Sequence, residues 1–162
     1  MVAEYLRQPY RFTCVKDSPY PGWWAKVSLF EPGRFKGRVL YLDLDVTVVG
    51  NLDDLADYPY PFAAIKDYQF PLTINSSVMV WDAGFADSVF NDFTPSVMQR
   101  LHGDQNWLHE KVPAFHFPRP WCPSYKAHVL PHGVPADARV VVYHGRPKSW
   151  ELPPDHLQPR TA

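Results

Sequence analysis

Apolar residues along this chain fall into short blocks with two different periods. Between Arg38 and Val49 the run RVLYLDLDVTVV is β-branched and almost continuously apolar, the pattern of a central strand buried on both faces. Only Asp43 and Asp45 interrupt it among the apolar positions. Shorter runs predict further strands at 61–65 (PFAAI), 74–82 (INSSVMVWD) and 140–144 (VVVYH), with RFTCV at 11–15 and AFHF at 114–117 as smaller candidates. Helical spacing shows in WWAKVSLF, where Trp23, Val27 and Phe30 fall on one face before Glu31-Pro32-Gly33 stops the pattern. Asn51-Leu52-Asp53-Asp54 reads as a turn into one short helical turn. FADSVFNDF at 85–93 predicts a helix, and Thr94-Pro95 starts another as an N-cap with proline at the first helical position. Gly103 ends that helix, and Asp104 is placed to cap the next, QNWLHEK.

Strands alternating with helices predict an α/β fold, a layered sheet flanked by helices. The length of 162 residues suits one domain, expected over 1–150, with a polar, proline-rich and loose tail at 151–162. Composition adds limits. Hydrophobic residues are 46% and charged residues 20%, enough for a packed core and too apolar for a disordered chain. Net charge is −1 and no basic stripe occurs, which argues against nucleic acid as a partner. Cys14 and Cys122 have no metal-type spacing, and the start MVAEYLRQPYRF lacks the pattern of a secretory leader. A cytoplasmic, reduced setting is the resulting expectation, with no membrane span. The 18 prolines concentrate toward the C-terminal half and predict irregular connections from Val112 to Arg139.

The chemistry centres on the aspartate pair. Side chains two apart on a strand share a face, and ionised carboxylates are rarely buried without a partner. Placing both at the C-terminal end of the strand, beside a divalent cation, resolves the conflict, because ligands in open α/β sheets bind at that edge. Oxygen ligands of this kind suit Mg²⁺ or Mn²⁺. Two solvated carboxylates at a strand end would give the same letters without any function.

Four stretches, in order, carry a resemblance. GWWAKVSLFEPGRF followed by RVLYLDLDVTVVGNLDDL, then INSSVMVWD, GDQNWL and VVVYHGRPKSWE, resemble glycosyltransferases of the GT-A fold, family 8 and its relatives, which include glycogenin and bacterial lipopolysaccharide sugar transferases. The resemblance covers about residues 10 to 151 and implies a mixed sheet flanked by helices, with the family's usual first strand and helix lying outside this chain. It also implies roles. Asp43, Asp45 and His144 would be ligands of Mn²⁺ or Mg²⁺, Lys26 would touch the donor's diphosphate or sugar, and Lys148 would meet the diphosphate. Asn75 would contact the donor sugar, Asp104 would bind its hydroxyls, and Gln105 would sit under the reacting carbon. The implied partners are a nucleotide-sugar donor, a UDP-sugar by expectation, and a carbohydrate or glycoconjugate acceptor, with retention at the anomeric carbon. In the closing segment Gly145 follows His144 directly and Ser149 stands where the family has proline.

Two other readings fit parts of the chain. D-x-D-x-T in LDLDVTVV matches the first motif of haloacid-dehalogenase-like phosphatases, with Asp43 as nucleophile and Asp45 as acid/base. That class needs a later paired acidic segment, and GDQNWLHE offers only Asp104 in that place. A non-catalytic or truncated glycosyltransferase-like binding domain is the third reading.

Overall fold

The computed structural model describes residues 2–70 and 73–157. Its main sheet has four strands in the order β1-β4-β3-β5: β1 (Arg38–Leu42), β3 (Phe62–Lys66), β4 (Ile74–Asp82) and β5 (Phe115–His116). β4 runs antiparallel to both β1 and β3, while β5 is parallel to β3, so the sheet is mixed. A second, two-stranded sheet pairs β2 (Val46–Val48) with β6 (Val140–Val142) antiparallel.

Side chains alternate across the main sheet as strand geometry requires. Phe62, Ala64, Met79 and Trp81 enter one core with Trp24, Phe30, Trp107 and Leu108. Ala63, Ile65, Val78 and Val80 enter the other with Leu52, Leu55, Phe117 and Val140. Val39 and Tyr41 of β1 lie on the first face, and Leu40 and Leu42 on the second. The doubly buried inner strands are therefore β4 and β3. β1 is an edge strand whose five residues are all only partly buried.

This corrects the expected single strand from Arg38 to Val49. The chain leaves the main sheet after Leu42, turns through Asp43-Leu44-Asp45 and enters the second sheet at Val46. The exchange of partners is visible in the backbone. Asp43 N–H donates to Ser77 O at 2.8 Å on the β4 side, and Tyr143 N–H donates to Asp45 O at 3.2 Å on the β6 side. Leu44 points away from both cores and is 92% exposed.

Gly22–Phe30 is a 3-10 helix rather than an α-helix. With three residues per turn, positions i, i+3 and i+6 align, so Trp24, Val27 and Phe30 form the buried face. Trp23, expected inside, is 64% exposed. Residues 11–15 form no strand, although Val15 packs against the first core. After two short helices, α1 (Val2–Tyr5) and α2 (Asp53–Ala56), the helix expected over 85–93 shortens to α3 (Ser88–Asn91), followed by α4 (Pro95–Arg100) and α5 (Asp104–Lys111). Asp104 is the first residue of α5, and the N-cap is Gly103, so its carboxylate is not the predicted cap. Leu152 and Leu157 lie against Tyr125, Val129, Val141 and Tyr143, and residues 158–162 lie outside the described part. Both cysteines are free, Cys14 exposed and Cys122 buried. No helix among the described residues is long and apolar enough to cross a membrane.

Candidate functional site

Lys26 joins three elements. It extends from the 3-10 helix, where the aligned face buries Trp24 and Val27 and leaves position 26 directed at the end of the sheet. Its Nζ donates to Asp43 Oδ2 at 2.9 Å, to Ser76 Oγ at 3.0 Å and to Ser76 O at 3.3 Å. Asp104 Oδ2 lies 3.9 Å from the same nitrogen. Ser76, on β4, in turn donates from Oγ to Asp104 Oδ2 at 2.6 Å. Its backbone N–H donates to Gln105 Oε1 at 3.0 Å. The end of β1, the start of β4 and the start of α5 are thus tied by one ammonium and one hydroxyl.

Tyr41 completes the group. It stands two residues before Asp43 on the same face of β1, and its hydroxyl donates to Asp43 Oδ1 at 2.6 Å. The Lys26 ammonium sits 5.6 Å from the centre of the Tyr41 ring. Both oxygens of Asp43 are therefore held. Burial pushes the Tyr41 phenol far above its ordinary value, and the charges of Asp43, Asp104 and Asp45 push it further, so it remains a hydrogen-bond donor throughout the accessible pH range.

Asp45 belongs to a second group across the turn. Its Oδ2 is paired with Lys148 Nζ, which also donates to Tyr143 O at 3.0 Å. His144 follows Tyr143 directly. Its Nε2 shares a hydrogen with Ser124 Oγ at 2.6 Å, and its ring stacks on Tyr68 at 5.4 Å between centres. Burial lowers the His144 pKa, with the Lys126 ammonium acting in the same direction, so the ring is neutral at physiological pH.

The structure thus gathers Lys26, Asp43, Asp104 and Gln105 around Ser76, with Asn75 adjacent on β4. Asn75 is buried, and its Oδ1 accepts the Ser77 N–H at 3.0 Å. Asp45, Lys148 and His144 lie on the other side of the turn. Among the described residues no three His, Cys, Asp or Glu side chains converge as a metal-holding group. The donor chemistry nonetheless suits a divalent cation. Asp43 and Asp45 supply hard oxygen donors of the kind such an ion takes, each here paired with an ammonium group, Lys26 and Lys148. Tyr41, Ser76 and Ser124 escaped sequence reasoning. Tyr41 was detectable, since a residue two before Asp43 on a strand shares its face. Ser76 and Ser124 were not, because their partners are 28 and 20 residues away.

Asp104 gives the site a pH signature. It is 5% exposed, and burial raises its carboxyl above the ordinary 3.8, although the Lys26 charge and the Ser76 hydrogen bond pull the other way. The folded chain therefore keeps this proton to a higher pH than the unfolded chain. Across that window the contribution of Asp104 to folding stability falls as pH rises. Asp104→Asn is expected to remove this fall. Urea unfolding from about pH 4 to about pH 6 checks it, and parallel profiles for the two proteins would refute the burial account.

No family model matches the chain. Over 130 residues it is 32% identical to inositol phosphorylceramide glucuronosyltransferase 1 of Arabidopsis thaliana, an alignment covering 78% of this chain and 23% of that protein. The chain thus spans about a quarter of the length of the curated relative it matches. Among solved structures it superposes on the galactosyltransferase LgtC, crystallised with donor and acceptor sugar analogs, with a TM-score of 0.60 and 17% identity, over 78% of this chain and 59% of that one. This chain has the GT-A fold. Both comparisons lead to glycosyltransferases, in agreement with the resemblance carried by the four sequence stretches. Within the GT-A fold, the Asp43–Asp45 turn stands where β1 ends and the chain changes sheets.

Proposed function

We propose that this GT-A chain transfers a sugar from a nucleoside-diphosphate donor, a UDP-sugar, to a glycoconjugate acceptor, with retention at the anomeric carbon. The observation that supports it most directly is the Lys26 ammonium tying Asp43, Ser76 and the buried Asp104 into one group at the sheet end. Asp43 and Asp45, on the two sides of the turn, would hold a Mn²⁺ or Mg²⁺ ion, which when bound supplies positive charge opposite the departing diphosphate; His144, turned to Ser124 and Tyr68, does not join them in this arrangement. Lys26 and Lys148 hold fixed ammonium charge beside the same two aspartates, so charge appearing on the leaving phosphate oxygen meets preorganised partners. Asp104 accepts from sugar hydroxyls while Ser76 and Lys26 keep its carboxylate aimed. Gln105, held by the Ser76 amide, lies beside it and orients the sugar for attack. The Arabidopsis protein is named for an inositol phosphorylceramide acceptor and a glucuronosyl donor, and an acceptor of that general kind is consistent with this reading.

Titration calorimetry with UDP and Mn²⁺, followed by assay of UDP-sugar hydrolysis or transfer, tests the proposal. Saturable UDP binding that needs the metal supports it, whereas UDP binding indifferent to Mn²⁺, or none, removes it. Tyr41→Phe probes the positioning of Asp43. The ring and its contact with Lys26 remain, but the hydrogen bond to Oδ1 is lost, so kcat should fall roughly tenfold with KM for the donor little changed. An unchanged kcat would show that Lys26 alone orients Asp43.

A further inference from the structure

Beyond Tyr68 lies a pocket that the proposed chemistry does not use. Lys66, Asp67, Tyr68, Arg119, Cys122 and His128 contribute to its walls, and it is small and partly open to solvent. Tyr68 is a fixed wall, because its hydroxyl donates to Cys122 O at 2.7 Å. The same ring stacks on His144 and lies 5.7 Å from the His128 ring, so the pocket borders the candidate site through a single aromatic side chain.

The pocket is unbalanced in charge and in hydrogen bonding. Among the described residues neither Lys66 nor Arg119 has a carboxylate within ion-pair distance. Asp67, the acidic residue of the lining, turns Oδ1 to the backbone N–H groups of Gln69 and Phe70, each at 2.8 Å. His128 Nδ1 accepts the Ser124 N–H at 3.0 Å, so the neutral ring carries its proton on Nε2 and offers a donor there. The crowding of positive groups has an electrostatic trace. His128 is pushed down by burial and then by Arg119, and His116, next to Phe117 of the lining, by burial and then by Lys66. A chain of net charge −1 that concentrates N–H donors around one opening presents an anion site.

We propose that this pocket takes the phosphate group of the acceptor, a phosphorylated polyol, with Lys66, Arg119 and His128 as its donors. The word acceptor rests on the sugar-transfer reading; anion binding does not. Lys66, Arg119 and His128 line the same opening, so a compact phosphate there faces both cations and the Nε2–H, with Tyr68 closing the side toward His144. Planar guanidinium geometry makes Arg119 the main contributor to phosphate recognition.

Calorimetry on the full chain with myo-inositol 1-phosphate, with myo-inositol, and with vesicles carrying phosphatidylinositol tests it. The wild-type chain is expected to bind the phosphate-bearing ligands saturably and myo-inositol not at all. The double variant Lys66→Gln with Arg119→Gln should bind them at least about tenfold more weakly while melting at the same temperature. Preference for vesicles marks a lipid headgroup as the source and preference for the free ester a soluble acceptor, and either upholds the site. Equal affinity in the double variant, or no phosphate-dependent binding by the wild type, overturns it. UDP with Mn²⁺ is titrated into both proteins in parallel. Loss of UDP binding in the wild type with phosphate-ester binding intact would sink the transfer reading and leave the pocket standing.

Discussion

Lys26→Met is expected to lower both stability and turnover. The Lys26 side chain is 17% exposed and its two carboxylate partners, Asp43 and Asp104, are 19% and 8% exposed. Removing the ammonium leaves two close carboxylates facing each other with little water, and leaves Ser76 O and Oγ without their donor. Breaking a buried pair costs about 3–5 kcal/mol; partial exposure here reduces the expectation to about 2 kcal/mol. The loss should shrink in acid, where the carboxylates take up protons and no longer need the cation. Urea unfolding at neutral and acid pH measures both parts. Turnover should fall roughly 100-fold, because fixed charge opposite the leaving group is lost. Lys26→Arg should recover most of the stability and little of the rate, since a planar fork cannot reproduce three contacts converging on one nitrogen. If Lys26→Met unfolds at the wild-type urea concentration, Asp43 and Asp104 are better solvated than their burial indicates.

Asp45→Asn separates stability from chemistry. Its ion pair with Lys148 is about a quarter exposed on both sides, so the cost to folding should stay below about 1 kcal/mol. The turn itself is held by backbone bonds from Asp43 N–H and to Asp45 O, which the substitution leaves intact. Metal-dependent transfer should nevertheless drop by roughly 100-fold or more, as an amide oxygen is a much poorer ligand and carries no charge. Calorimetry with Mn²⁺ and UDP should show the loss directly. Undiminished transfer by the variant would rule out Asp45 as a metal ligand.

Much of the candidate site was legible because its signals are local. Asp43 and Asp45 stand out as charges within an apolar run, and INSSVMVWD is β4 from its first residue to its last. PFAAI, AFHF and VVVYH each found a strand within a residue or two. Other readings failed where a local pattern has two tertiary solutions. The run RVLYLDLDVTVV is apolar enough for one long strand, but it is two short strands feeding different sheets. Both halves are half-buried edges of their own layers, and the two produce the same string as one central strand. WWAKVSLF likewise fits either helical period. The choice of Trp24 over Trp23 for the core follows from packing against Phe93, Phe30 and the sheet. Asp104 looked like a helix cap because an aspartate beside a glycine at a helix start usually is one. The hydroxyl that captures its carboxylate comes from a strand 28 residues earlier.

The sequence by itself determined the class of layers, most of the strand positions and the order of charged residues, since burial periodicity and turn residues act over a few positions along the chain. Only the tertiary structure decided that β4 rather than β1 is central and that Lys26 rather than a neighbour reaches Asp43. It alone separated His144, on Ser124 and Tyr68, from the carboxylate beside Tyr41. Those outcomes depend on which distant backbones become adjacent, and adjacency is set by the packing of whole faces, a quantity that no short window of residues contains.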